Sequence, residues 1–233
     1  MVSHMNMTLI HTLKSRAFRT IPVPDDLSPL IASDSLAEAD PTNAGMTRKG
    51  VDAIWNCVED LYRTGIYPAI ALCLRRRGRV IINRAIGHSH GNGPGDPPGA
   101  PKVPATPETP ICQYSASKAV TAMMIHLLAE RQELALDDPV KKFVPEFAGN
   151  GKHAITIRHL MSHRGGIPTP PADVDPEILY DHDEFVRLIC GLKPTTENGG
   201  RMAYHAITGG VIMGEIVRRV TGSTLRELLR ETV

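Results

Sequence analysis

Tyr114-Ser-Ala-Ser-Lys118, at the head of the apolar run Ala119-Val-Thr-Ala-Met-Met-Ile-His-Leu-Leu-Ala129, is the stretch on which the reading of the fold turns. Ser115 and Lys118 are three residues apart, and on a helix that spacing puts both side chains on one face. A serine hydroxyl attacks poorly until a neighbouring base takes its proton. A lysine can be that base when partial burial draws its pKa down from about 10.4. A place at a helix N-terminus adds free N–H groups and positive partial charge, both of which favour an oxyanion. Taken alone, the pair also reads as a serine cap followed by a surface lysine, because about one Ser-x-x-Lys is expected by chance in a chain of this size.

Working outward, the chain after Ser115 is mostly helical. Val120, Met123, Met124, Leu127 and Leu128 predict one apolar side of a helix ending near Gln132. Further helices are expected over residues 156–163, 182–192 and about 208–220, and Thr221-Gly222 stops the last of these. A final helix is expected from Ser223 to Val233. Upstream, Thr47 is a good N-cap for an amphipathic helix reaching Gly65. Two β-rich runs follow, Ala69-Ile-Ala-Leu-Cys-Leu74 and Arg79-Val-Ile-Ile-Asn-Arg84, joined by the polar link Arg75 to Gly78, which suits a hairpin. The Gly/Pro cluster from Gly87 to Pro110 reads as a surface connection, and no strand is expected after the hairpin. Residues 1–45 carry scattered prolines and no sustained period, so they read as an extension. The expected organisation is thus an extension (1–45), a helix with a β-hairpin (46–112) and a mostly helical subdomain (113–233). The class is α+β, because the βαβ alternation of a parallel sheet is missing.

Composition narrows the function classes. Of 233 residues 42% are hydrophobic, enough for a real core, and 26 Lys plus Arg against 25 Asp plus Glu leave a net charge of +1. That balance points away from nucleic acid as a partner. No run of 18 apolar residues offers a membrane span. Cys57, Cys73, Cys112 and Cys190 form no C-x-x-C pair, which disfavours a zinc knuckle or a disulfide scaffold. The expectation is a soluble, cytoplasmic protein. Lys14, Arg16 and Arg19 only weakly suggest a transit peptide, and Met1-Val-Ser-His-Met5 has the look of a vector remnant. His159 and His163 are four apart, but no zincin glutamate lies between them, so both read as structural histidines pinning loops. His205 reads as an orienting or structural neighbour of Tyr204. Arg218, Arg219 and Arg226 with Glu215 and Glu227 read as solvated helix faces, and Met123 and Met124 as core filling.

Two further blocks give the serine and lysine a context. Ile155-Thr-Ile-Arg-His-Leu-Met-Ser-His-Arg-Gly-Gly-Ile167 lies between them and Gly199-Gly-Arg-Met-Ala-Tyr-His-Ala206, which precedes a helix ending Arg218-Arg-Val-Thr-Gly222. In this order the three blocks resemble the serine β-lactamase-like family: class C β-lactamases, D-alanyl-D-alanine carboxypeptidases and family VIII carboxylesterases. Ser115 and Lys118 match its Ser-x-x-Lys motif, and Tyr204 the tyrosine of its Tyr-x-Asn motif. The middle block resembles its L-x-x-H-x-S-G stretch, with Gly165 in the serine's place. The resemblance runs from about residue 46 to 233. It implies an antiparallel sheet flanked by helices, and an acyl-enzyme mechanism. Ser115 would be the nucleophile, with Lys118 and Tyr204 handling its proton and neither assigned as the base. No cofactor or metal is implied.

Two departures refine the expectation. Ala206 replaces the asparagine of Tyr-x-Asn, whose amide helps hold a β-lactam side chain, so the resemblance favours a carboxylesterase acting on small or short-acyl esters. Weak β-lactam hydrolysis or acyl transfer stays open. The family's third motif, Lys/His-x-Gly on a C-terminal strand, is missing, along with the strands around it. The expectation is the N-terminal portion of a longer fold, whose remaining strands are absent, cleaved off or supplied by a second polypeptide. The alternatives are a D-Ala-D-Ala peptidase of penicillin-binding type acting on amides, and a catalytically idle scaffold.

Overall fold

The computed structural model describes residues 20–34, 37–97, 99–196 and 199–233. Met1–Met5 and the basic stretch with Lys14, Arg16 and Arg19 lie outside the described residues. The chain divides into two compact units, one up to Ile111 and one from Cys112 onward.

The first unit is an antiparallel sheet with one long helix. Its elements are β1 (Ile31–Ser33), α1 (Arg48–Arg63), β2 (Ala69–Arg76), β3 (Arg79–His90) and β4 (Val103–Pro104). Helix α1 begins where the Thr47 hydroxyl accepts a hydrogen bond from the Gly50 N–H, and it buries Val51, Trp55 and Tyr62. Strand β3 is central, pairing with β1 (Ile31↔Ile86) along one edge and with β2 (Ile70↔Ile86) along the other. Successive side chains on a strand point to opposite faces, yet both Ile81 and Ile82 are buried, so β3 is covered on both sides. Arg77 and Gly78 close the β2–β3 hairpin with φ of +50° and +75°, the left-handed pair that a two-residue turn requires.

Two expectations for this unit are corrected. The described part of the first 45 residues is built into the core, where Ile21, Leu27 and Ala44 are buried. Glu38 there accepts two hydrogen bonds from the Arg84 guanidinium (2.9 and 2.8 Å) and one from the Asn83 N–H (2.8 Å). These elements are a three-residue strand and single 3₁₀ turns, too short for any period to register. The Gly/Pro connection is partly strand: β3 continues to His90 and pairs with β4 through His88↔Pro104 and His90↔Val103. A strand therefore does follow the hairpin. Gly87 hid this, because a glycine inside a strand reads as a break. A Cβ there would lie 2.3 Å from the Pro68 carbonyl oxygen, so the close approach of the backbone requires glycine.

The second unit is helical, with α2 (Ser117–Glu130), α3 (Ile157–Met161), α4 (His182–Gly191), α5 (Thr208–Thr221) and α6 (Leu225–Thr232) joined by 3₁₀ turns. Helix α2 packs against α5 and α6 over a core that includes Ile125, Leu128, Phe185, Ile189 and Ile216. Side-chain caps start three of the helices. Thr156 opens α3 and Asp181 opens α4, while Thr224 and Glu227 form a capping box at α6. On α2 the buried residues are Met124, Ile125 and Leu128, while Val120 and Met123 are exposed, Met123 by 59%. This helix is apolar nearly all round, so periodicity could not choose its inner face.

The α5 charges also differ from the expectation of a solvated face. Glu215 is fully buried. It accepts hydrogen bonds from Arg218 Nε (2.8 Å) and Arg219 Nε (2.5 Å), and its Oε2 lies 3.1 Å from His182 Nε2. Burial alone would push its carboxyl up, but the hydrogen bonds from Arg218, Arg219 and His182 outweigh that and hold it at about 2. Lys152 is likewise buried, donating to the Cys190 carbonyl (2.9 Å) and to that of Leu192. These are carbonyls at the end of α4, where a cation complements the helix dipole. Among the described residues no helix is long and apolar enough to cross a membrane.

Candidate active site

Ser115 lies in a single 3₁₀ turn, Tyr114–Ala116, that runs directly into α2. The turn pairs the Ala116 N–H with the Gln113 carbonyl (2.9 Å) and the Ser117 N–H with the Tyr114 carbonyl, which leaves the positive end of the α2 dipole beside the serine. Tyr114, just before the serine, has φ of +44°, an unusual conformation for a bulky residue and a form of backbone strain that clusters at functional sites. One turn further on, Lys118 reaches back, and its Nζ lies 3.4 Å from Ser115 Oγ. Tyr204 arrives from 89 positions away in sequence, and its hydroxyl donates to Ser115 Oγ at 2.5 Å. The lysine Nζ also sits 5.2 Å from the centre of the Tyr204 ring. All three side chains named from the sequence therefore meet at one oxygen.

The tyrosine is the group whose acidity this arrangement tunes. Its hydrogen bond to Ser115, and then the neighbouring Lys118, hold its phenol below the usual range. A phenol that ionises more readily is present to a greater extent as phenolate, the form able to take up a proton.

Tyr204 stands on an irregular segment before α5, and its support comes from the middle block. The Ala203 N–H donates to the His163 carbonyl (2.9 Å), and the His205 N–H to His163 Nδ1 (3.2 Å). The His163 and Tyr204 ring centres are 4.9 Å apart. His159 caps its own helix, its Nδ1 accepting from the Thr156 N–H at 3.2 Å. Both histidines thus accept hydrogen bonds from backbone N–H groups, His159 from Thr156 and His163 from His205. The sequence reading missed how tightly the glycines of this block are packed. A Cβ on Gly165 would lie 2.8 Å from Leu160 Cδ2, and one on Gly166 2.7 Å from Pro194 Cβ. The Gly165-Gly166 pair beside His163 was the signal that could have shown it.

A groove of about 990 Å³ opens beside Ser115. Its lining includes Ser115 and Lys118, Ala206 and Ile207 just before α5, and Gly210 and Gly214 on α5. A Cβ on Gly210 would meet nothing within 4 Å, so these glycines keep the groove wide. Ala206, where the resemblance leads one to expect asparagine, lies in its wall and adds no amide.

An α+β chain with an antiparallel sheet in one unit, helices in the other, and a Ser-x-x-Lys pair facing a tyrosine at a helix head has the build of the serine β-lactamase-like hydrolases. Residues 55–233 match the family described as Beta-lactamase, and the chain belongs to that family. It is 34% identical over 129 residues to the Esterase/beta-lactamase LipL of Mycobacterium tuberculosis, covering 55% of this chain and 30% of that protein. Among solved structures it resembles a penicillin-binding protein homologue from Caulobacter crescentus (30% identity, TM-score 0.69, 78% of this chain and 47% of the other). It also resembles a family VIII carboxylesterase (28% identity, TM-score 0.67, 77% and 47%). The chain thus spans about half the length of these solved relatives and less than a third of LipL.

Proposed function

We propose that the chain carries the nucleophile half of a serine carboxylesterase that works through an acyl-enzyme on small or short-acyl esters. The observation that carries this reading is the convergence of Lys118 Nζ and Tyr204 Oη on Ser115 Oγ, at 3.4 and 2.5 Å. In the forward step Ser115 Oγ bonds to the ester carbonyl carbon while its proton passes into the Tyr204–Lys118 pair. The carbonyl π electrons move to oxygen, where the positive end of the α2 dipole favours the charge. Collapse of the tetrahedral intermediate breaks the carbon–oxygen bond to the alcohol, and the stored proton leaves with it. Water then attacks the acyl-serine and regenerates Ser115. Two features support esters over β-lactams: Ala206 in the groove wall, and the similarity to a family VIII carboxylesterase.

A second reading, acyl transfer on amides of penicillin-binding type, is favoured by the similarity to the Caulobacter homologue. One experiment separates them. The protein is incubated with a fluorophosphonate and, separately, with a fluorescent penicillin, and the adduct is mapped by intact-mass and peptide spectrometry. The esterase reading expects the phosphonyl adduct on Ser115, its loss in Ser115→Ala with circular dichroism unchanged, and little penicillin adduct. A Ser115→Ala variant labelled as fast as wild type refutes the assignment, and dominant penicillin labelling on Ser115 favours the amide reading.

A further inference from the structure

Tyr204 poses a physical question that the catalytic reading leaves open. Its phenol must sit at hydrogen-bond distance from Ser115, yet it is 53% exposed and carried by a segment in neither helix nor strand. Such a side chain has rotamers to lose, and holding it needs a dedicated support.

That support is two imidazoles. His163 is hydrogen-bonded to both residues flanking Tyr204, its carbonyl accepting from the Ala203 N–H and its Nδ1 from the His205 N–H, at 2.9 and 3.2 Å. Its ring packs against the tyrosine ring and lies parallel to that of His205, with centres 6.0 Å apart and planes 19° apart. To do this His163 adopts φ of +58°, a conformation uncommon outside glycine. The His205 ring is buried; its Nε2 accepts from the Ile167 N–H (3.0 Å) and its Nδ1 lies 2.6 Å from the Ala203 carbonyl oxygen. A nitrogen facing an N–H donor must be the bare one, so His205 is the neutral Nδ1–H tautomer, donating to Ala203. By the same argument His163 carries its proton on Nε2.

We infer that His163 and His205 are positioning residues for Tyr204, a paired-imidazole clamp that holds the phenol at Ser115 through the hydrogen bonds and ring contacts of these two side chains. The inference rests on the acyl-enzyme reading for its consequence in rate, but not for its geometry. Protonating His205 would set an Nε2–H against the Ile167 N–H and place a buried charge beside His163. Burial, then the nearby His163, already lower the His205 pKa, against an opposing pull from the Ala203 carbonyl. The titratable groups facing the pair are Tyr204 and, beyond its ring, Lys118. Arg164, next in the chain, points its guanidinium to the Gly199 carbonyl. His159 of α3 packs its ring beside Gly199. No carboxylate hydrogen-bonds to either ring among the described residues.

The clamp is tested through two readouts. Wild type, Tyr204→Phe, His163→Ala and His163→Asn are compared by phenolate absorbance against pH, with the Tyr204→Phe curve subtracted from wild type to isolate Tyr204. In parallel, the rate of fluorophosphonate labelling at Ser115 is followed against pH. Wild-type Tyr204 should titrate below the ordinary phenol range. In His163→Ala, which removes ring and acceptor, that low titration should move up to the ordinary range and labelling should fall on the order of 10²-fold. His163→Asn keeps an acceptor near the Nδ1 position and tolerates positive φ, so it should recover part of both. If Tyr204 titrates normally in wild type, or if His163→Ala is folded and matches wild type in both readouts, the clamp is refuted. Should the alanine variant not fold, His163→Asn decides. Native circular dichroism with the Tyr204 titration and the labelling rate both equal to wild type overturns the clamp, while a titration lying between the wild-type and ordinary ranges with slowed labelling upholds it. Absence of labelling in wild type with the phenol titrations as expected would refute the hydrolase reading and leave the clamp standing.

Discussion

Replacing Glu215 by glutamine tests the energetics of the helical unit most directly. The carboxylate is fully buried and receives two arginines and a histidine, which hold its pKa at about 2 against an ordinary 4.5. At about 1.36 kcal/mol for each tenfold change in acidity, that difference makes the ionised form worth on the order of 3 kcal/mol of folding stability. The folded pKa is depressed, so this contribution is complete above the unfolded pKa and is lost as pH falls through the folded one. Linkage between those two values leaves less than half of it at pH 3. Glu215→Gln keeps the shape but removes the charge, leaving Arg218 and Arg219 facing a neutral amide. The variant should therefore be less stable than wild type by about 3 kcal/mol at neutral pH, in the range measured for breaking buried ion pairs. That deficit should shrink by about 2 kcal/mol at pH 3. Urea unfolding followed by far-ultraviolet circular dichroism reports on this unit, because the helices dominate it. A deficit that is the same at both pH values would refute the linkage argument. A deficit below about 1 kcal/mol at neutral pH would mean that the two arginines are as well satisfied by water.

Three further outcomes follow from the packing. The buried Cys190 thiol is pushed up to about 11, mainly by burial, while Cys57, Cys73 and Cys112 are exposed. A thiol-reactive disulfide at neutral pH should titrate three cysteines quickly and the fourth only on unfolding; a fast fourth equivalent would show that the α4 end opens readily. Gly87→Ala must fit a methyl 2.3 Å from a carbonyl oxygen at φ of +99°, so it should cost about 2 kcal/mol or more in urea unfolding, and a neutral result would contradict the close β2–β3 approach. Gly199→Ala would put its Cβ 2.5 Å from the His159 ring. It should lower the melting temperature by several degrees, on the order of 1–3 kcal/mol, and an unshifted melt would show that His159 can swing aside.

How far the sequence carried the reading differs from element to element. Helix α1 was legible because Thr47 caps it and sixteen residues repeat one amphipathic pattern. The hairpin was legible because two β-rich runs flank a glycine-bearing link. Strands β1 and β4 were not, since two or three residues hold no period and their strand state comes from pairing with β3. Glu215 was misread for a related reason. Charges spaced three and four apart look the same on a wet face as in a closed network, and only the approach of His182 and Glu146 makes the difference.

By itself the sequence determined what could be local at Ser115: a serine and a lysine one helical turn apart. It also determined, through three blocks in order, the family to which the chain belongs. Only the tertiary structure decided that Tyr204 reaches the same oxygen from 89 positions away, and that His163 and His205 hold it there. Helical spacing is encoded by neighbours along the chain, whereas a hydrogen bond across so many residues exists only once packing has brought distant backbone together.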